Sequence, residues 1–239
     1  MPLIPQQPRV ANRILAALPP KEYRRLLPQL EDVSLSFSQV IYEPGETIRH
    51  VYFPSNSVVS LLAAENHHAS IEVGMIGNEG MTGISVVMGV DKSRTRALVH
   101  AAGAGVRMDS AALKKESSNS GALYRLLHLY IHTLLTQMSL ASACNRFHTL
   151  DARLARWLLM THDRIGSNEF LLTQEFMSNM LGVRREGVNK VAGNLQRQNL
   201  ISYTRGHVTI LNRLGLEGIS CGCYRIMKEE SDECFDKVA

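Results

Sequence analysis

The stretch from Leu172 to Leu211, LTQEFMSNMLGVRREGVNKVAGNLQRQNLISYTRGHVTIL, constrains this chain more than any other part of it. Two short amphipathic helices are expected on either side of a turn at Gly182–Val183, followed by a tight hairpin through Arg205–Gly206. Helices that cross closely need a small residue between them, and Ser178 sits four residues before Gly182. Gly182 supplies the backbone freedom that a sharp turn needs. Met177, Leu181, Val183, Val188 and Val191 fall at the spacings that point inward from two helices. The opposite face carries Arg184, Arg185, Glu186, Asn189, Lys190 and Asn194. Arginine pairs with guanine, asparagine with adenine, and glutamate accepts from cytosine, so this is a base-reading face. Ile201 to Tyr203 and His207 to Ile210 alternate around Arg205–Gly206, which suits a two-stranded wing. The pattern is that of a winged helix-turn-helix. Its expected contacts to double-stranded DNA are Arg184, Arg185, Glu186, Asn189, Lys190, Arg205 and His207. A helical hairpin with a solvated basic face is the competing reading, and it accounts for neither the turn nor the wing.

Charge points the same way. From Phe170 to Gly215 there are six Lys and Arg residues against Glu175 and Glu186, a net of +4, which equals the formal charge of the whole chain. The positive field is therefore concentrated where phosphates would lie. The tail beyond Leu216 carries Glu217, Glu229, Glu230, Asp232, Glu233 and Asp236 against three basic residues.

The 239 residues, 45% hydrophobic and 20% charged, suit one or two globular domains. No apolar run approaches the roughly 20 residues of a membrane span. The N-terminus lacks a charged-then-apolar leader. All four cysteines (Cys144, Cys221, Cys223, Cys234) lie in the second half, which argues against a disulfide framework and fits a reducing cytoplasm.

Three textures succeed one another. Residues 10–30 suit one or two short helices broken by prolines. From Val33 to Asp109, short runs rich in Val, Ile, Tyr and Phe recur between turn signals, as in a barrel or jelly roll. From Ser120 to His148, Leu127, Ile131, Leu134, Met138 and Ala141 form one stripe of a long helix, widened by Leu123, Leu126, Tyr130 and Gln137. A helix with so wide an apolar face needs partners on two sides. One side is expected to pack on the barrel. The other is expected to pair with a second copy through Leu127, Tyr130, Leu134, Met138 and Ala141. A further helix, Leu150 to Ile165, leads into the DNA module. The expected fold is α+β. An antiparallel β-roll (jelly roll) covers residues 1–119, a central dimerisation helix 120–148, and a winged helix-turn-helix with an acidic tail 149–239.

That order resembles the Crp–Fnr superfamily of bacterial transcription regulators over nearly the whole chain. Tyr42-Glu43-Pro44-Gly45-Glu46 with Ile48 and Val51-Tyr52-Phe53 is similar to the family's early roll motif. Ile76-Gly77-Asn78-Glu79-Gly80 resembles the opening of its effector cassette. Arg185-Glu186 followed by Lys190 resembles the recognition-helix pattern R-E-x-x-x-R. The resemblance implies a homodimer on a palindromic operator, acting near RNA polymerase. It implies contacts from Arg185 to guanine and from Glu186 to cytosine. Lysine at position 190 lacks arginine's planar fork.

Cyclic-nucleotide-binding members place a Gly-Glu pair near the ribose and an Arg-Ser/Thr-Ala triplet on the phosphate. Here the effector-pocket candidates are Gly77, Glu79, Gly80, Arg94, Thr95 and Arg96. The acid falls one place late and the triplet carries an extra residue. A one-place slip turns a strand side chain to the opposite face, which argues against a cyclic nucleotide as cofactor. Another small molecule, a redox change or no signal at all is expected instead. A cyclic-nucleotide-responsive regulator remains the alternative. His128 and His132, four apart, could share a metal or face a haem, but two histidines without a third ligand assign none. Cys221-x-Cys223, with Cys234 beyond, could hold metal or form a redox pair, and no metal site is assigned. An enzyme built on the roll, such as a cupin-like metalloenzyme, lacks the paired histidines it would need.

Overall fold

The computed structural model describes residues 11–65, 69–118 and 121–236, so His67 and His68, expected at a hairpin turn, lie outside the described residues. The N-terminal part opens with helices α1 (Arg13–Ala16) and α2 (Pro20–Leu26). The strands that follow are β1 (Glu31–Leu35), β2 (Val40–Tyr42), β3 (His50–Pro54), β4 (Val58–Glu65), β5 (Ala69–Ile76), β6 (Arg96–Ala101) and β7 (Gly103–Asp109). They pair antiparallel in two sheets, ordered β1-β7-β3 and β2-β6-β4-β5. This is the roll that the recurrent short apolar runs predict.

The middle strands are apolar on both faces because each face meets a different core. Val59 and Leu61 of β4, Ile76 of β5 and Val99 of β6 point into the roll. Val58 and Leu62 of β4 and Met75 of β5 point instead to the C-terminal domain. Successive strand side chains point to opposite faces, so a strand covered on both sides loses its polar alternation.

Helix α3 (Ser110–Ser117) leads into α4 (Ala122–Phe147), which covers the roll. Here the expected dimer seam needs correction. Leu127, Tyr130, Leu134 and Ala141 are all buried within the chain, the first three in the roll core. Met138 is half-buried against the same core. The face left open runs through Tyr124, His128, Leu135 and Ser142, with Ile131 and Met138 half-buried along it and Leu135 59% exposed. The stripe was wide enough for two registers, and packing on the roll took the more apolar one.

Beyond α4 come α5 (Leu150–Ile165), β8 (Glu169–Leu171), α6 (Gln174–Leu181), α7 (Arg185–Arg197), β9 (Ile201–Thr204), β10 (His207–Ile210), α8 (Arg213–Ile219) and α9 (Cys223–Asp236). The wing has three strands, ordered β8-β10-β9, rather than the two expected. The acidic tail is also more structured than its charge suggests. It forms α9, which packs along α4. Asp232 pairs with Arg13 at 2.9 Å, and Arg13 also stacks over Phe235, 4.4 Å from the ring centre. Among the described residues, no helix is long and apolar enough to cross a membrane.

Candidate nucleic-acid interface

Helix α6 starts at Thr173, whose hydroxyl accepts the Phe176 amide at 3.1 Å, and ends at Gly182 with φ +63°. That left-handed turn is closed by the Val183 amide donating to the Ser178 carbonyl at 3.0 Å. Helix α7 then packs against α6. Met177, Leu181, Val188 and Val191 are buried and Val183 is half-buried, as their spacing requires. A Cβ at Gly182 would also lie 2.9 Å from Ile71 of β5, so the turn rests directly on the roll.

The expected base-reading side chains stay outside. Arg184, Arg185, Glu186, Asn189 and Lys190 are all exposed, and none forms a salt bridge among the described residues. Arg184 is the N-cap of α7 and makes no side-chain cap; its carbonyl accepts the Gly187 amide at 3.0 Å. In the wing, Arg205 (φ +52°) and Gly206 (φ +81°) are the central pair of the β9–β10 turn. Both positive angles match the twist of a two-residue hairpin. Arg205 and His207 are exposed at its tip. The structure therefore places all seven DNA-contact candidates at exposed positions on α7, its N-cap and the wing. Asn194, also on that face in the sequence reading, is instead held by Asp151 at 3.3 Å and by Arg197.

The effector-pocket candidates do not converge. Glu79 is buried, and its Oε1 accepts from Arg164 of α5 (Nε 2.9 Å, Nη2 2.8 Å) and from the Gly77 amide at 3.2 Å. The two cassette glycines serve close packing. A Cβ at Gly77 would lie 2.5 Å from the Arg164 stem, and one at Gly80 would lie 2.4 Å from the Tyr130 ring. Arg96 forms a two-pronged pair with Glu43 at 2.8 and 2.7 Å. Arg94 and Thr95 border a different, mostly apolar groove between residues 84–95 and the Ile131–Met138 face of α4. Glu79 does not line that groove. The histidine pair also separates. His128 Nδ1 lies 2.9 Å from the Tyr124 carbonyl, and His132 Nδ1 lies 2.9 Å from Glu230 of α9.

Sequence reasoning missed a buried polar chain joining the roll to α5. Ser60 bonds Glu72 and lies 2.7 Å from His100 Nδ1. His100 Nε2 lies 3.1 Å from Thr161, and the Trp157 indole donates to Glu72 at 3.0 Å. Burial pushes the Glu72 carboxyl up to about 7, against the pull of the Ser60 bond and of Arg156. Burial, with the Arg164 charge, pulls His100 down to about 3. Polar residues inside strands were the only available signal, and it does not name partners.

Residues 152–219, which hold most of α5, the turn, α7 and the wing, match the Crp-like helix-turn-helix domain. The C-terminal unit is thus similar to the Crp-like helix-turn-helix domain. No curated protein matches the chain as a sequence. Solved structures with the same fold include FixK2 from Bradyrhizobium japonicum, at 16% identity and TM-score 0.68, covering 81% of this chain and 98% of that one. A transcriptional regulator of the Crp/Fnr family from Eubacterium rectale is 18% identical, with TM-score 0.65, covering 84% of this chain and 94% of its own. A Crp-family transcriptional regulator from Thermus thermophilus is 21% identical, with TM-score 0.64, covering 79% and 96%. About four fifths of the chain thus shares the fold of these structures, two of which are described as transcriptional regulators of the Crp/Fnr or Crp family. Roll, α4 and the Crp-like domain occur in the expected order.

Proposed function

We propose that this protein is a sequence-specific DNA-binding transcription regulator of the Crp–Fnr type that acts as a homodimer on a palindromic operator. The observation that carries this reading is the exposed, unpaired face of Arg184, Arg185, Glu186, Asn189 and Lys190 on a helix held by the Crp-like turn. Residues at the start of a recognition helix reach base edges, whereas a wing tip meets the backbone. Arg185 and Glu186 are therefore read as base contacts and Arg205 as a phosphate contact.

The dimer surface is assigned to the open face of α4. Tyr124, His128, Ile131, Leu135, Met138 and Ser142 recur at alternating spacings of four and three, the seam of paired helices. Met88 and Val90 extend that apolar surface from the roll. A dimer places two recognition helices on successive half-sites and makes the operator palindromic. Contact with RNA polymerase is carried only by the family resemblance. A cyclic-nucleotide signal has no support in the site, because Glu79 is already engaged by Arg164 and Arg94 borders a separate groove.

Binding titrations at several salt concentrations test the reading. Arg185→Ala should cost about 1–3 kcal/mol on the cognate site and relax preference at one base pair. Arg205→Ala should weaken all DNA alike and lower the salt slope by about one unit. Equal weakening of random and cognate DNA by Arg185→Ala would refute the base-reading role.

A further inference from the structure

Cys144, His148, Cys221 and Cys223 come together at the end of α4, although 77 residues separate Cys144 from Cys221. Three sulfurs and one imidazole nitrogen all lie within 4.8 Å of one another. The Cys144 and Cys221 sulfurs are 3.4 Å apart, and the Cys223 sulfur is 3.8 Å from His148 Nδ1. Ligands bound to one tetrahedral zinc, about 2.3 Å away for sulfur and about 2.0–2.1 Å for nitrogen, stand roughly 3.4–3.8 Å from each other. A cluster of several metals would spread its ligands further.

Local structure explains the arrangement. Cys144 and His148 are four residues apart across the last turn and C-cap of α4, so they share a face. Cys221 and Cys223 flank Gly222 where α8 gives way to α9. The three thiols are buried, and His148 is exposed, which leaves a route for a metal from solvent.

The surrounding charge is a second, independent sign. Arg153 and Arg156 of α5 are only 7% and 6% exposed. Neither forms a salt bridge with a carboxylate among the described residues, and the Nε of each has no hydrogen-bond partner. Both act electrostatically on Cys144. A guanidinium stays charged when buried, and only Arg156 has a carboxyl, Glu72, facing its charge, so an anion near Arg153 is wanted here. Three thiolates and a neutral imidazole around a divalent cation carry a net charge of −1.

We propose that Cys144, His148, Cys221 and Cys223 form a structural zinc site that fastens the end of α4 to the start of α9. Sulfur-rich tetrahedral ligation selects zinc, and four protein ligands close the site against catalysis. Loading breaks three S–H bonds and releases three protons to solvent, forming three Zn–S bonds and one Zn–N bond without electron transfer. Cys234, further along α9, lies outside the group.

Metal analysis of the reduced full chain, with cobalt titration of its metal-free form, tests this. One metal per chain is expected, with the thiolate-to-cobalt charge transfer and visible bands of a tetrahedral site. Cys223→Ser and His148→Ala should each weaken binding at least about 100-fold, the upper end for loss of a mere outer-shell partner. Cys234→Ser should bind as the parent does. Because His148 is exposed, its variant decides the matter if Cys223→Ser does not fold. The assignment is overturned if the reduced parent takes up no stoichiometric zinc or cobalt, or if His148→Ala binds as tightly as the parent. It is equally overturned if mass spectrometry finds a Cys144–Cys221 disulfide in place of metal.

Discussion

Cutting the Glu79–Arg164 pair from one side at a time should show how firmly the roll is bolted to the DNA-binding unit. The two side chains are 7% and 10% exposed, and one carboxylate oxygen takes both guanidinium bonds at 2.9 and 2.8 Å. Removing either partner strands the other charge away from water, which costs about 3–5 kcal/mol. Glu79→Gln keeps the volume and an acceptor for the Gly77 amide, so the charge is the main loss. Arg164→Met keeps the apolar stem. For a chain of this size each kcal/mol moves Tm by roughly 2–4 °C, so either single change should lower Tm by about 6–20 °C. The double variant leaves no stranded charge at this site and should recover more than half of the summed loss. Calorimetric melting of the four proteins measures the coupling. Additive losses, or single variants within about 2 °C of the parent, would show that the pair is solvated and carries little, since exposed pairs contribute about 0–1 kcal/mol.

The remaining expectations concern other elements. Leu135→Asp should weaken dimerisation by about 2 kcal/mol or more, roughly 30-fold in Kd, whereas Leu127→Ala should destabilise the fold by about 2–5 kcal/mol. Sedimentation showing the reverse assignment would return the seam to the buried stripe. Glu72 has a folded-state pKa of about 7, above its unfolded value, so burial costs nothing at low pH. That cost grows as pH rises through 4.5 and is complete above 7, on the order of 3 kcal/mol. Glu72→Gln should therefore gain stability over the parent between pH 5 and pH 8, while the neutral His100 facing it loses stability in both proteins as pH falls below 6.5. A gap between the two proteins that stays constant with pH would refute this. Gly193 lies inside α7 with only the flexible tip of Arg197, 3.7 Å away, near a would-be Cβ. Gly193→Ala should raise stability by up to about 1 kcal/mol in a denaturant melt, and a loss would mean that the site is tighter than it looks.

What could be read from the sequence was what is encoded locally. Gly182, the inward set around it and the Arg205–Gly206 pair lie within one short stretch, and each imposes its geometry on near neighbours. The face of α4 was not legible, because a helix apolar over two registers does not say which one the roll will cover. Leu127 and Leu135 look alike in the chain, yet one is fully buried and the other largely exposed. Glu79 looked like a ligand residue because its partner, Arg164, is 85 residues away. The thiol group was half-visible as Cys221-x-Cys223, but its other half sits on a different helix. The helix in the acidic tail was not legible either, since the contacts that hold it belong to α1 and α4.

Those tail contacts bear on how the protein is made. Arg13 waits for Asp232 across 219 residues, so α1 is the first described element to leave the ribosome and among the last to be completed. Until α9 arrives with Tyr224 and Met227, the surfaces of α4 and α5 that it covers stay open. Loops this long close slowly. A translation product that stops before Cys223 would therefore be an unfinished protein rather than a trimmed one, and a client for chaperones.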